Sequence, residues 1–492
     1  MPLGTPAHPN YHSIMIMRAF LVLLLLVIPR VLAEGLPDLG DVAQASFTPL
    51  QERRLGESIM REIHADPTYF DDAEATDYLN NLGNRLVSHS PDSRQEFDFF
   101  LMRDNQINAF ALPGGFIGIN TGLILSAQSE SELASVMAHE IAHVTQRHIA
   151  RMIAQQKQSN VVALASLAAS LLLSRVSGPA AEAAMAFGQA GAIQGQLNFT
   201  RENERDADRV GLQILDQAGF DPQAMPIFFE RLQRATRIYE GGAPSYLRTH
   251  PLTFERIADI QSRMQGMSYR QVPDSLGFQL IRAKLRAHFD APRDAVAFFE
   301  QSLAERKYLS EAASRYGLVI SLTRMKDYTR ARTELEALRK RVPANPIVDT
   351  LTCEFGQEAY GPEKTLPCFR EALKSYPAYR ALVYDYANAL LLARQPEEAL
   401  RFVEARLQAV VGDYRLYLLQ ARSYAALNRR LLQHRALAEA YLRQGNLPAA
   451  IDQLQIGLKS GDGDFFQLSS AESRLRELRK LDDENRREAG KR

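Results

Sequence analysis

The sequence has no surplus of charge of either sign. Lys+Arg and Asp+Glu each number 58 in 492 residues, so no overall field points to nucleic acid or to an anionic membrane surface. It is short of cysteine. Cys353 and Cys368 are the only two, and neither sits where it could carry a lipid anchor behind an N-terminal cleavage site. Between them a single disulfide and a pair of buried thiols are equally open. Apolar runs long enough to cross a bilayer, which takes about 20 residues, are also missing. The runs "AFLVLLLLVI" (Ala19–Ile28) and "NVVALASLAASLLL" (Asn160–Leu173) both fall short.

What is present describes a folded chain. Hydrophobic residues make up 46% and charged residues 24%, a globular composition, and the length exceeds what one core supports. Arg18, the apolar run after it, and Val31 and Ala33 ahead of Glu34 read as a secretory signal over 1–33. The expected mature product is soluble, exported to the periplasm and starts near Glu34; a retained membrane anchor is the alternative.

Beyond about residue 270 the sequence becomes helical and repetitive. Ala331, Thr365 and Ala399 recur at 34-residue spacing, with Leu335, Phe369 and Val403 in the same register and Pro343 and Pro377 at repeat ends. "KDYTRARTELEALRKRVPANP" and "GPEKTLPCFREALKSYPAY" resemble the second helix and closing turn of tetratricopeptide repeats. The repeat region is expected over 271–480, with an extra helix near Tyr414–Leu427 and a charged tail at 481–492. Stacked helix pairs make a superhelix whose concave face holds a peptide or partner protein, unless the array is purely structural.

The chemistry lies upstream, in "SVMAHEIAHVTQRH". On a helix, His139 and His143 share a face and can offer ring nitrogens to one metal ion, with Glu140 within reach of its water. HExxH arises by accident in roughly one in a hundred chains of this length, so a third ligand is required. "RENERDADRVG" supplies Glu204 and Asp208, four apart on an amphipathic helix. One carboxylate can bind metal and the other orient a ligating histidine. HExxH followed by Glu204-Arg205-Asp206-Ala207-Asp208 resembles the gluzincin metalloproteases. That resemblance implies His139, His143 and Glu204 as zinc ligands, Glu140 as general base, and Asp208 behind a histidine. His148, five residues past His143, is expected to point away from the metal as a structural or surface residue.

Two further segments are similar to the same family. "NAFALPGGFIGINTGLI" is read as a strand bent at Pro113-Gly114-Gly115 and placed at a sheet edge. The resemblance implies that an extended substrate joins it along Asn108, Ala109, Phe110 and Ala111; a plain core strand is the alternative. "YLRTHPLTFERI" supplies His250, Pro251 and Arg256. The resemblance implies His250 as a fourth, inhibitory zinc ligand. Arg256 is assigned to catalysis as an oxyanion group, with carboxylate pairing equally open. The segment from Ile153 to Leu197 is read as a lid, a contact with membrane or barrel substrate, or a core helix.

The sequence thus predicts a mainly α protein: a helical gluzincin catalytic domain with a small β-sheet over 34–270, then an α-solenoid of tetratricopeptide repeats. The expected activity is zinc metalloendopeptidase, with one Zn2+ per chain. The exported, repeat-bearing branch of the family implies outer-membrane β-barrel proteins and their assembly machinery as partners, with some chaperone-like help. A scaffold with a permanently closed zinc site and a cell-wall peptide hydrolase are the rivals.

Overall fold

The computed structural model describes residue 1 and residues 47–92, 95–155, 201–238, 244–267, 270–410 and 412–490. All but Met1 of the segment 1–33 expected to be a signal, most of Ile153–Leu197 and the end of the charged tail lie outside the described residues. Among the described residues no helix is long and apolar enough to cross a membrane.

The N-terminal half is built around one buried helix. Helices α1 (Pro49–Ala65) and α2 (Ala73–Val87) precede a three-stranded sheet of β1 (Asp98–Met102), β2 (Ala109–Leu112) and β3 (Phe116–Asn120). Then come α3 (Thr121–Ser126) and α4 (Glu130–Thr145). Ser129 caps α4 by accepting from the Glu132 N–H, and Glu130 and Glu132 place negative charge in its first turn. From Glu130 to Val144 every residue of α4 is buried, so its small residues Ala134, Ala138 and Ala142 let neighbours approach from all sides. After α5 (His148–Gln155), α6 (Arg201–Gln217) packs on α4. A Cβ at Gly211 of α6 would lie 3.1 Å from the His139 backbone, so glycine sets how closely the two helices cross. Helices α7 (Ala224–Ile238), α8 (Ser245–Thr249) and α9 (Phe254–Met264) complete this half.

The sheet order is β1-β3-β2, with β1 parallel and β2 antiparallel to β3. The expected single bent strand is in fact a hairpin: Gly114 and Gly115 take φ of 79° and 88°, which side chains disfavour, and β2 occupies the edge. Asn108 accepts from the Asn120 N–H and Phe110 lies opposite Gly118. Alternation then turns the backbone groups of Asn108 and Phe110 toward β3, and those of Ala109 and Ala111 toward the outer side of the sheet.

The C-terminal half is a run of helix pairs. It comprises α10 (Leu276–Phe289), α11 (Pro292–Ala304), α12 (Glu311–Arg324), α13 (Tyr328–Arg341), α14 (Pro346–Tyr360) and α15 (Pro362–Ser375). It continues with α16 (Arg380–Leu392), α17 (Pro396–Ala409), α18 (Tyr414–Ala426), α19 (Arg430–Arg443), α20 (Leu447–Leu458) and α21 (Phe465–Gly490). Helix α18 occupies the residues expected for an extra helix and packs on both α17 and α19. Cys353 and Cys368 form a disulfide between α14 and α15. Helix α10 serves both halves. Phe278, Ile281 and Leu285 join the core around α4, while Leu280, Ala283 and Ala287 join that of the first repeats.

Candidate metal centre

Four donors converge where α4, α6 and the end of α8 meet. His139, His143, Glu204 and His250 are each at most 1% exposed, and one ligand atom from each lies within 4.8 Å of all the others. The α4 spacing brings His139 Nε2 to 3.0 Å from His143 Nε2. Glu204 of α6 faces them, with Oε2 3.5 Å from His139 Nε2 and Oε1 3.5 Å from His143 Nε2. His250, the C-cap of α8, puts Nδ1 3.0 Å from Glu204 Oε1 and 3.4 Å from His139 Nε2. Bonds of 2.0–2.1 Å in a tetrahedron separate ligand atoms by about 3.3 Å. The separations and the nitrogen-oxygen donor set therefore fit a zinc ion.

Glu140, fully buried, sits on the flank of this cluster, with Oε1 3.4 Å from His250 Nε2. Burial raises its carboxyl above the usual range, opposed by His250 and His139. Burial also raises Glu204, but His250, His139 and His143 outweigh it and hold that carboxyl well below the ordinary value. Burial disfavours a charge on His139, yet Asp208 and Glu204 together lift it to about 9. For His143, burial prevails and the imidazole is held well below its usual value.

Asp208, one turn beyond Glu204, places Oδ1 3.0 Å from His139 Nδ1. Arg256 departs from the oxyanion assignment. It is 3% exposed and spans Asp208 with Nε and Nη2 at 2.7 and 2.8 Å. Its Nη1 reaches Glu204 Oε2 and the Pro251 carbonyl, both at 2.8 Å. With its donors engaged by two carboxylates and a carbonyl, it neutralises buried charge and ties down the residue after His250. Carboxylate pairing, the other sequence alternative, is the arrangement found.

His148 also departs from expectation. It is fully buried, with Nδ1 2.9 Å from His143 Nδ1. Helical extrapolation failed because Arg147 adopts φ 54° and ends α4; with no glycine there, the sequence carried no sign of the turn. Sequence reasoning missed Tyr246 as well, whose buried ring stacks on His250 at 4.7 Å. Asn108, Ala109 and Phe110 are buried and Ala111 partly so. The Ile107 carbonyl just before them accepts from the Tyr246 N–H at 3.2 Å.

A buried HExxH helix facing an acidic helix is the architecture of a metallopeptidase. Residues 73–264 match peptidase family M48, and the chain belongs to that family, as a metalloendopeptidase. Over 452 residues it is 33% identical to the β-barrel assembly-enhancing protease of Escherichia coli (strain K12), covering 91% of this chain and 92% of that one. It is 32% identical over 456 residues to the protein of the same name from Yersinia pestis, with the same coverage. It is also 32% identical over 216 residues to the mitochondrial metalloendopeptidase OMA1 of Schizosaccharomyces pombe, covering 43% of this chain and 60% of that one.

Proposed function

We propose that this chain is an exported, periplasmic zinc endopeptidase acting on outer-membrane β-barrel proteins, with a catalytic domain at 34–270 and a repeat domain at 271–480 that binds substrate or assembly machinery. The observation that carries the reading is the convergence of His139, His143 and Glu204 beside Glu140. The names of the relatives that span nearly the whole chain support the substrate class.

His139, His143 and Glu204 would hold one zinc ion. When bound there, zinc polarises a peptide carbonyl and makes water nucleophilic near neutral pH. Glu140 takes the proton from the attacking water and returns it to the leaving amine. Asp208 fixes the His139 ring, and Arg256 offsets the charge of Asp208 and Glu204. The outward backbone groups of Ala109 and Ala111 receive an extended substrate as an added strand. His250 takes the position a substrate or water needs, so the arrangement is a closed one that opens when α8 moves.

Two measurements test this. Elemental analysis of the full chain should give one zinc per molecule, lost in Glu204→Ala. Glu140→Gln should keep the zinc and lower hydrolysis of an unfolded β-barrel protein by about 10²- to 10⁴-fold. Zinc retained with no Glu140-dependent turnover, even after His250→Ala, would favour the scaffold with a closed site, the reading His250 makes credible. Faster cleavage of cell-wall peptides than of unfolded protein would favour the peptidoglycan rival.

A further inference from the structure

A histidine that binds metal through one ring nitrogen needs a partner on the other, because that partner fixes both the ring and its tautomer. At His139 the partner is the Asp208 carboxylate. At His143 it is another imidazole. His143 Nε2 faces the donor cluster, and its Nδ1 lies 2.9 Å from Nδ1 of His148. The far nitrogen of His148, Nε2, lies 3.6 Å from the Asp206 carboxylate on α6.

We infer that His148 is a positioning residue for His143, selecting the tautomer that leaves a lone pair facing the metal site. Two nitrogens at hydrogen-bond distance share one proton. If His143 Nδ1–H donates to His148 Nδ1, then His148 carries its own proton on Nε2, toward Asp206, and His143 Nε2 keeps its lone pair for the metal. The reverse arrangement puts a proton on His143 Nε2, where no metal can bind. The Asp206 carboxylate beside His148 Nε2 favours the first arrangement.

The local fold is built to deliver this contact. Five residues along an unbroken helix would carry His148 to another face. The left-handed Arg147 turns it back, and that turn is braced from α1. Arg147 Nε donates to Glu52 Oε1 at 3.0 Å and its Nη2 to the Phe47 carbonyl at 2.7 Å. Glu52 itself is 6% exposed, so the brace is internal.

This inference rests on the metal-centre reading, and its test separates the two. His148→Asn keeps an acceptor near the place of Nδ1, whereas His148→Leu has nearly the same shape as Asn and no acceptor. Zinc affinity of the full-length chain, measured against a competing chelator, should fall by about 10- to 100-fold in His148→Leu and by less in His148→Asn. The visible absorption of the cobalt-substituted protein should follow the same order. A merely structural role predicts the opposite order, since a buried site tolerates leucine better than asparagine. Unchanged zinc affinity in His148→Leu, or a greater loss in His148→Asn, would overturn the inference. If His148→Leu does not fold, Asp206→Asn, at a partly exposed position, should still weaken zinc measurably, and wild-type affinity there would also overturn it. Absence of zinc from the wild type would instead bring down the metal centre itself.

Discussion

Arg256 carries the largest single-residue prediction. Its guanidinium is the cation shared by Asp208 and Glu204, all three buried. Arg256→Met leaves both carboxylates buried without its charge, and breaking a buried ion pair from one side costs about 3–5 kcal/mol. Denaturant unfolding of the metal-free chain should show that loss. Arg263→Met, which breaks an exposed i,i+4 pair with Asp259, should cost under about 1 kcal/mol. His250→Ala should act in the other direction on activity: zinc stays on three ligands, and peptide turnover rises because the fourth position is open. At this scale the pairing of His139 with His143 was legible in advance because spacing on a helix is a geometric statement, four residues apart meaning one face, whereas Glu204 and His250 were named through the family resemblance. The linkage of Arg256 was half legible, since the family resemblance brought a cation to the site but left open which groups use up its donors. His148 was not legible, because a left-handed turn at an arginine breaks the periodicity on which the extrapolation depends.

Elements were easier to foresee than their joints. The helices of the second half follow from 34-residue spacing, with Pro343 and Pro377 at repeat ends, and the Cys353–Cys368 bridge then ties the two helices of one hairpin. A disulfide closing a loop of about 15 residues stabilises by about 3 kcal/mol in the chain-entropy picture. Cys353→Ser with Cys368→Ser should therefore lower the thermal midpoint, and adding reductant should move the wild type toward the double variant while leaving that variant unchanged. The sheet was less readable. A continuous apolar stretch around Pro113 looks like one strand, and only the pairing partners reveal that it folds back on itself and turns Ala109 and Ala111 outward. Helix α10 also defied a clean division: a boundary near residue 270 was expected, yet the next helix gives one face to each core.

The two halves are held by an acidic segment of the first meeting basic side chains of the second. Lys284 Nζ lies 2.7 Å from Asp72 and 2.8 Å from Glu74, and the Tyr379 hydroxyl donates to Glu74 at 3.1 Å. Arg380 pairs with Asp77 at 2.6 Å, and Arg415 Nε donates to Asp71 at 3.0 Å. Beside this junction opens a cavity of about 410 Å³, lined by Asp72, Lys284, Glu354 and Asp385 among others. Burial pushes the Glu74 carboxyl up to about 7 despite Lys284. The folded chain therefore keeps a proton that the unfolded chain releases between about pH 4.5 and 7, so the Glu74 contribution to stability is full below that window and is lost as pH rises through it. Unfolding free energy measured across pH 4.5–7 should decline with a slope that Glu74→Gln reduces. The Tyr246–Ile107 hydrogen bond ties the helix that carries His250 to the chain just ahead of β2. The carbonyl that anchors α8 begins the same outward row that continues at Ala109 and Ala111, so the bolt is fastened to the rail on which a substrate strand would run. If an extended substrate adds to that row as proposed, a segment long enough to claim it from its start should displace the bolt as it docks, whereas a short peptide reaching only Ala111 should leave it in place.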